Sequence, residues 1–267
     1  MKIEHLRDVE YNYICGLDEQ DTNGRCSDNY HIFYVNSGCG AMKIEGADIP
    51  FSKGDFCLVH PLAFYRISAE NDKDLQRYIF SFPKEKIDGA LLDFLDSLFQ
   101  NGSPCAVIRG IATDSVQNIL STLSFADKLD GDVKQQYIFA IISQLLAIIS
   151  SSSKKETYSG SEELIYQVAD FISDNIERNK ALSLDEIAKT FFVSKFYLCR
   201  EFKKYNGISI HAYMNHKRIM IARQYIKSGM SAKDASKMVG YTDYSAFYRA
   251  YVKVVGKSPT SHGGENL

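Results

Sequence analysis

Residues 194–207, SKFYLCREFKKYNG, decide the fold, because residues 243–256, DYSAFYRAYVKVVG, repeat them at an offset of 49 positions. Overlaid, Leu198 meets Phe247, Arg200 meets Arg249, Phe202 meets Tyr251, Lys204 meets Lys253 and Gly207 meets Gly256. In each copy apolar residues recur at i and i+4, Leu198 with Phe202 and Phe247 with Tyr251, the spacing that stacks side chains on one helix face. The other face carries Lys195, Phe196, Cys199, Arg200 and Lys203 in the first copy, and Tyr244, Ser245, Tyr248 and Arg249 in the second. Each copy is therefore expected to form a helix with one buried and one presented face.

What precedes each copy is also repeated. Leu184, Ile187 and Ala188 make a short apolar turn before the break TFFVS at 190–194; Ala232, Ala235 and Ser236 precede VGYTD at 239–243, a turn one residue longer. A short helix, a tight turn and a second helix with a basic and aromatic face is the helix-turn-helix pattern, expected at about 184–205 and 232–254. The segment from His211 to Ser228 reads as a helix joining the copies. At about 1.5 Å per residue it spans roughly 27 Å, close to the roughly 34 Å between successive major-groove faces of DNA.

The stretches LSLDEIAKTFFVSKFYLCREFKKYNGIS, AYMNHKRIMIARQYIKSG and VGYTDYSAFYRAYVKVVGKSP resemble the AraC/XylS family of bacterial transcription regulators. The resemblance implies base contacts from Lys195, Phe196, Cys199 and Arg200 in the first copy and from Tyr244, Ser245, Tyr248 and Arg249 in the second. Arginine's planar fork meets O6 and N7 of guanine with two hydrogen bonds, and Phe196 and Tyr244 suit thymine methyls. Cys199 bonds poorly, so base specificity in the first copy should lean on Arg200. The alternative for either arginine is a phosphate contact or an internal bridge, for instance Arg249 with Asp243. Lys203, Lys204, Lys217 and Lys253 read as phosphate contacts, which set affinity and salt dependence. Arg218 is open between a structural and a DNA role. Ala232, Ala235 and Ser236 are smaller than the family's usual residues, and the tail HGGENL lacks its closing aromatic-arginine pair. Less buried area lowers stability, so the second copy is expected to be the less stable and the weaker binder.

The 267-residue chain, 45% apolar, has room for two domains. Residues 161–267 hold 16 Lys and Arg against 11 Asp and Glu, net +5, whereas residues 1–160 hold 15 against 22, net −7. The basic part is the one suited to phosphate. Six cysteines show no CxxC pair and no zinc-type spacing, which reads as reduced cytosolic thiols; Cys39 or Cys57 as a redox sensor is a minor alternative. MKIEHLRDVE does not read as a signal peptide. The apolar run YIFAIISQLLAIIS, 137–150, is too short to span a bilayer. No cofactor and no membrane are expected.

Residues 1–30 are polar and stay unassigned. From Tyr30 short strands follow: YHIFYVNSG, CGAMKIEG, ADIPFSKGD, FCLVHPLAFYRISAE and DLQRYIFSFP, separated by Ser-Gly, Glu-Gly and Lys-Gly-Asp turns. Their order resembles the cupin-type barrel that senses effectors in many members of the same family. Cupin enzymes hold a metal with clustered histidines and a glutamate; here the barrel offers His31 and His60 without such a cluster, so no metal site is expected. Tyr30, His31, Tyr34, His60, Phe64, Tyr65 and Tyr78 are the candidate effector contacts, their rings and hydroxyls suiting a sugar; aromatic residues in strands are more often core residues. Helices are expected over 84–100, 114–129 and 132–150, packing on the barrel or forming a dimer contact. SSSSKKETYSG, 150–160, reads as the linker. A further helix follows, SEELIYQVADFISDNIERN, with Ser161 as N-cap.

The expected fold is thus two domains, α+β overall. Residues 1–155 form a cupin-like β-barrel with packed helices, and residues 156–267 an all-α domain with two helix-turn-helix motifs on a long helix. The expected function is a cytoplasmic, homodimeric transcription activator that binds double-stranded DNA, contacts RNA polymerase and answers to a small molecule. The alternative is a regulator whose first domain is an interaction or dimerisation module without a small ligand. No catalytic arrangement or phosphate loop supports an enzyme.

Overall fold

The computed structural model describes residues 9–18, 21–22, 24–45, 47–99, 103–152, 155–157, 164–176 and 182–262. The chain divides into two compact units, Met1–Gly24 with Asn29–Ser159, and Arg25–Asp28 with Gly160–Leu267.

The first unit holds two antiparallel sheets. One has the order β1 (Glu10–Cys15), β7 (Gln76–Phe82), β2 (Tyr30–Ser37), β5 (Phe56–Val59), β8 (Cys105–Ile108), β9 (Lys155–Thr157); the other has the order β4 (Ala47–Ser52), β3 (Cys39–Ile44), β6 (Tyr65–Ala69). The turn from β2 to β3 needs its glycine: Gly38 has φ +82°, and a Cβ there would lie 2.8 Å from the Asp74 carbonyl oxygen.

Successive strand residues point to opposite faces, and here both faces of the six-stranded sheet are covered. Phe33, Val35, Cys57, Val59, Ile79, Cys105 and Val107 meet Met42, Ile44, Ile49, Phe51, Tyr65 and Ile67 of the smaller sheet in one core. On the opposite face Tyr30, Ile32, Tyr34, Phe56, Leu58, Phe80, Phe82, Ala106 and Ile108 pack with helices α1 (Gly89–Leu98), α2 (Thr113–Ser121), α3 (Leu123–Ala126) and α4 (Gly131–Ser151). Burying each such large side chain is worth about 1.5–3 kcal/mol.

The succession of strands along the chain from Tyr30 agrees with the expected unit, with differences. Among the described residues hydrogen bonds do not close the two sheets into a ring. FCLVHPLAFYRISAE divides into β5 and β6 at a turn where Leu62 has φ +67°. Strands β1, β8 and β9 were not expected. Within 150–160 the described residues include secondary structure: α4 runs to Ser151, and β9 pairs with β8, Ala106 opposite Thr157 and Ile108 opposite Lys155. The apolar run at 137–150 belongs to the 21-residue α4, long and apolar enough to cross a membrane by length and composition; Ile138, Ile141, Ile142, Leu145, Leu146 and Ile149 bury it in the core instead.

The second unit is helical: α5 (Leu164–Asn175), α6 (Leu184–Thr190), α7 (Lys195–Asn206), α8 (Ile210–Lys227), α9 (Ala232–Met238) and α10 (Tyr244–Val255). Ser161, the expected N-cap of α5, lies outside the described residues. The 18-residue α8 is the scaffold, with Ile210, Tyr213, Met214, Ile219, Met220, Ile221, Ala222 and Ile226 buried. In the same unit the buried Asp28 accepts Arg223 at 2.5 Å and Lys227 at 3.2 Å.

Candidate nucleic-acid interface

The first helix-turn-helix is α6 and α7. Ser183 caps α6 in a capping box: its hydroxyl accepts the Glu186 N–H at 3.2 Å while the Glu186 carboxylate accepts the Ser183 N–H at 2.9 Å. The helix ends in a Schellman turn, with Phe192 N–H bonded to the Lys189 carbonyl and Val193 N–H to the Ala188 carbonyl. The left-handed position of that turn is taken by Phe192, φ +55°, with its ring 96% exposed. Ser194 then caps α7 through the Tyr197 N–H at 3.2 Å, and Gly207 at φ +74° ends it. Leu198 and Phe202 are fully buried, Phe202 edge-on to Tyr213 at 5.2 Å.

The second motif, α9 and α10, is built on the same plan. Ser231 caps α9 by accepting the Asp234 N–H at 3.1 Å. Gly240, φ +88°, occupies the left-handed position of an equivalent turn, Gly240 N–H to Lys237 and Tyr241 N–H to Ser236. Asp243 caps α10 by accepting the Ser245 and Ala246 N–H groups at 2.9 and 3.1 Å, and Gly256 at φ +78° ends it. Phe247 and Tyr251 are fully buried; Tyr241 packs on Phe247 with ring centroids 5.4 Å apart. Ala235 and Ser236 are buried, and the Ser236 hydroxyl donates to the Lys233 carbonyl at 2.7 Å.

Of the residues singled out for base contact, Lys195, Phe196, Arg200, Tyr244, Ser245, Tyr248 and Arg249 are exposed, Phe196 at 78%, and Cys199 is half-buried. The two motifs differ in electrostatics. Lys195 pairs with Asp185 at 2.9 Å, an interaction that holds the Asp185 carboxyl below its usual range. Glu201 takes Arg200 at 3.0 Å and Lys204 at 3.7 Å, and the Arg200 guanidinium also lies 5.5 Å from the Tyr197 ring centre. Among the described residues Arg249 has no ion pair; Asp243, which could have bridged to it, is occupied as the α10 cap.

Lys203, Lys204 and Lys253 are exposed, as phosphate contacts must be. Lys217 is not: it is 3% exposed, with its ammonium 5.3 Å over the Tyr213 ring, which removes it from the phosphate set. Its place within α8 gave no sign of this, since a long aliphatic stem lets lysine enter a core. Arg218 is half-buried and donates to the Leu182 carbonyl at 3.2 Å, a structural role. Asp185, Glu201 and Phe192 were not singled out from the sequence. Glu201, beside Arg200 and three residues before Lys204, carried the helical spacing that would have flagged it.

The candidate effector contacts fall on two faces of the first unit. Tyr30, Tyr34 and Tyr78 lie on the helix-covered face; Tyr30 and Tyr34 are buried, and burial pushes the Tyr30 hydroxyl up to about 12. Tyr65 lies between the sheets, its hydroxyl 2.6 Å from His31 Nδ1. The His60 ring stands edge-on to Tyr30 and Phe99. Phe64 is buried beneath Gly24, where a Cβ would fall 2.0 Å from the ring. Arg77, buried on β7, donates to the Gly16 carbonyl at 2.6 Å and pairs with Asp21. A cavity of about 450 Å³ opens elsewhere, against Arg109, Ala112, Ser115, Ile148 and Ser152, and none of the seven candidates lines it. Burial raises the Cys57 thiol to about 12, away from the thiolate a redox sensor needs. Among the described residues no group of three or more His, Cys, Asp and Glu could hold a metal ion.

Comparison with known proteins places two domain families on the chain: the AraC-like ligand binding domain matches residues 12–169, and a helix-turn-helix domain matches residues 187–262. The chain is 25% identical over 242 residues to the Msm operon regulatory protein of Streptococcus mutans, covering 87% of this chain and 83% of that protein. It is 22% identical over 239 residues to the XylDLEGF operon transcriptional activator 1 of Pseudomonas putida, covering 86% and 71%. Among solved structures, unsaturated fatty acid bound ToxT from Vibrio cholerae is similar at 12% identity and TM-score 0.42, covering 95% of this chain and 93% of that one.

Proposed function

The chain belongs to the AraC family of DNA-binding transcription regulators and carries that family's ligand-binding domain, and from this premise we propose that it is an activator whose two recognition helices read successive major-groove segments. The observation that carries this reading is the duplicated surface: two capped helices on one scaffold helix, each with an exposed arginine at the same place, Arg200 and Arg249. Lys195, Phe196, Cys199 and Arg200, with Tyr244, Ser245, Tyr248 and Arg249, contact bases. Lys203, Lys204 and Lys253 contact phosphates. The activator role is favoured by the similarity to a relative named as an operon activator. The protein acts in the cytoplasm as a homodimer and works through RNA polymerase, with residues 1–155 as the sensing and dimerising part and 156–267 as the DNA-binding part.

The effector of the first unit is a small polar molecule of the sugar class. The His31 and Tyr65 pair supports this, as two hydrogen-bonding groups turned toward the space between the sheets. Ligand binding controls transcription only by favouring one conformation over another. A second reading, the first unit as a dimerisation module without a ligand, is favoured by the dense apolar filling between the sheets.

The test is a titration of the full chain against the DNA upstream of its own neighbouring genes at two salt concentrations, with Arg200→Ala alongside. Saturable, salt-sensitive binding that loses sequence preference in the variant is the expected result. Equal binding to unrelated DNA, indifferent to the variant, overturns it. Adding a panel of sugars to the wild-type titration then separates the two readings of the first unit.

A further inference from the structure

The cavity of about 450 Å³ in the first unit is separate from the core between the sheets, since none of its lining residues belongs to that core. It opens where β8 gives way to α2. Arg109 follows the last residue of β8, Ala112 leads into α2, Ser115 stands in the first turn of that helix, and Ile148 and Ser152 come from the end of α4. Among the lining residues the charged one is Arg109. Its guanidinium is held from three parts of the chain: it donates to the Pro50 carbonyl at 3.0 Å, pairs through Nε with Asp55 at 3.3 Å, and pairs through Nη1 with Glu156 of β9. The two carboxylates differ in burial, the Asp55 side chain being 7% exposed and that of Glu156 53%. Asp55 also accepts the Ser52 N–H at 2.9 Å. Asp55 is therefore the fixed partner of Arg109, and Glu156 the one that can leave it.

We propose that this cavity binds a small organic monocarboxylate, which takes the place of Glu156 on the Arg109 guanidinium and lays its apolar body against Ile111 and Ile148. Arginine's planar fork offers a carboxylate two parallel N–H donors. One carboxylate replaces another on the same cation, so the charge count is unchanged, whereas a dianionic phosphate would add repulsion from Asp55. Glu156 moves into water, where its side chain is already half exposed. The net gain is the apolar surface of Ile111 and Ile148, both half-buried, that the ligand covers. The start of α2 adds to it: Ala112 caps that helix without a side-chain hydrogen bond, and a helix N-terminus favours a negative group. Asp114, the acidic residue of that first turn, does not line the cavity. Strand β9 has three residues and is the last strand before the chain passes to the second unit. A ligand that frees Glu156 removes the tie between β9 and Arg109 and leaves β9 its ladder with β8, so occupancy of the cavity is felt at the end of the first unit. The proposal does not rest on the sugar reading, which uses other residues.

Ligand-observed NMR titrations of the full chain test this, with cyclohexanecarboxylate as the probe and its uncharged amide and inorganic phosphate as comparisons. The probe should bind saturably, and neither comparison should. Glu156→Gln, which removes the competing charge, should tighten the probe by about twofold to fivefold. Ser115→Trp, at an exposed position, fills the cavity with an indole and should abolish binding. Hydrogen exchange at β9 should quicken when the probe saturates the wild type. Thermal melting of each variant checks that the fold is kept. Binding that survives Ser115→Trp but is lost in His31→Ala puts the probe between the sheets and overturns the proposal. Absence of saturable binding overturns it as well, as does wild-type affinity in Glu156→Gln. Equal competition by phosphate, which would mean an adventitious ion only, also overturns it.

Discussion

The two helix-turn-helix motifs share a skeleton and differ in what hangs on it. Both have a serine cap on the first helix, a Schellman turn, a polar cap on the second helix and a left-handed glycine at its end. In the first, however, the left-handed turn residue is Phe192 and the exposed cations Lys195 and Arg200 are each held by a carboxylate. In the second the turn residue is Gly240, and Arg249 has no ion pair among the described residues. The core differs too: where the first motif buries Phe202, the second buries Tyr251, whose hydroxyl has no hydrogen-bond partner among the described residues. Duplication has kept backbone geometry, which a helix pair cannot vary without losing its packing, and left each reading surface to be adjusted separately. An arginine fixed by Glu201 is pre-aimed; an arginine without such a partner must lose rotamer freedom when it binds.

The largest effect should come from the cores. Phe202→Ala and Phe247→Ala each remove a fully buried ring and should cost about 3–5 kcal/mol. Hydrogen exchange would show whether the motifs are separate units: Phe247→Ala should release α9 and α10 while α6 and α7 stay protected. Loss of protection in all four would mean the copies open together and the comparison is one of surfaces alone.

Next come the arginines. Arg200→Ala and Arg249→Ala should each reduce discrimination at one base pair by about 1–3 kcal/mol, with Arg200 the larger, measured on duplexes with single base-pair changes. A larger loss at Arg249 would reverse the order. Glu201→Gln sharpens the same point, since it should bring the first arginine closer in cost to the second.

Smaller again is the turn. A non-glycine residue in the left-handed region costs about 1–2 kcal/mol, part of which glycine returns through its freer unfolded chain. Phe192→Gly should therefore stabilise the second unit by about 1 kcal/mol or less in a denaturant titration. A destabilisation would show that the exposed ring makes a contact that favours the folded state.

At neutral pH the smallest effect is Tyr251→Phe, which makes the second core resemble the first and should leave stability unchanged or slightly raised, since the lost hydroxyl has no partner. Its signature is alkaline. Burial pushes Tyr251 up to about 12 from the usual 10.0, so the folded state keeps its proton while the unfolded state releases it. Stability is complete below about pH 10 and falls as the pH rises toward about 12. Tyr251→Phe should remove that part of the fall, as read from melting temperature against pH.

The second unit was legible because its signals are local. Ser194, Asp243, Gly207 and Gly256 mark helix ends by their own chemistry, and the i to i+4 pairs name the buried face. In the first unit the strands between glycine turns could be read, but β8 is a four-residue apolar run, CAVI, that periodicity cannot tell from a helix turn. Strand β9, KET, has no apolar signal and exists through its pairing with β8. The effector candidates were grouped by residue type, although strand parity already separated Tyr30 and Tyr34 from His31. Lys217 was read by its charge, and only the three-dimensional packing places its ammonium over Tyr213.

The sheet order has a consequence in time. The six-stranded sheet begins with residues near Glu10 and ends with Thr157, and its central neighbours β7, β2, β5 and β8 come from widely separated parts of the chain. Such long-range pairing folds slowly, and the edge strand β9 cannot be added until it has been synthesised. At about 5–20 residues per second, the interval between the first strand leaving the synthesis site and the last is roughly 7–30 s. During it the apolar face of α4 and the unpaired edge of β8 have no finished core to enter. The helices of the second unit follow and, apart from the pairing of Asp28 with Arg223 and Lys227, pack on elements close to them in the chain. A newborn chain is therefore expected to need most protection from chaperones while its sensing half is complete in sequence but not yet in sheet.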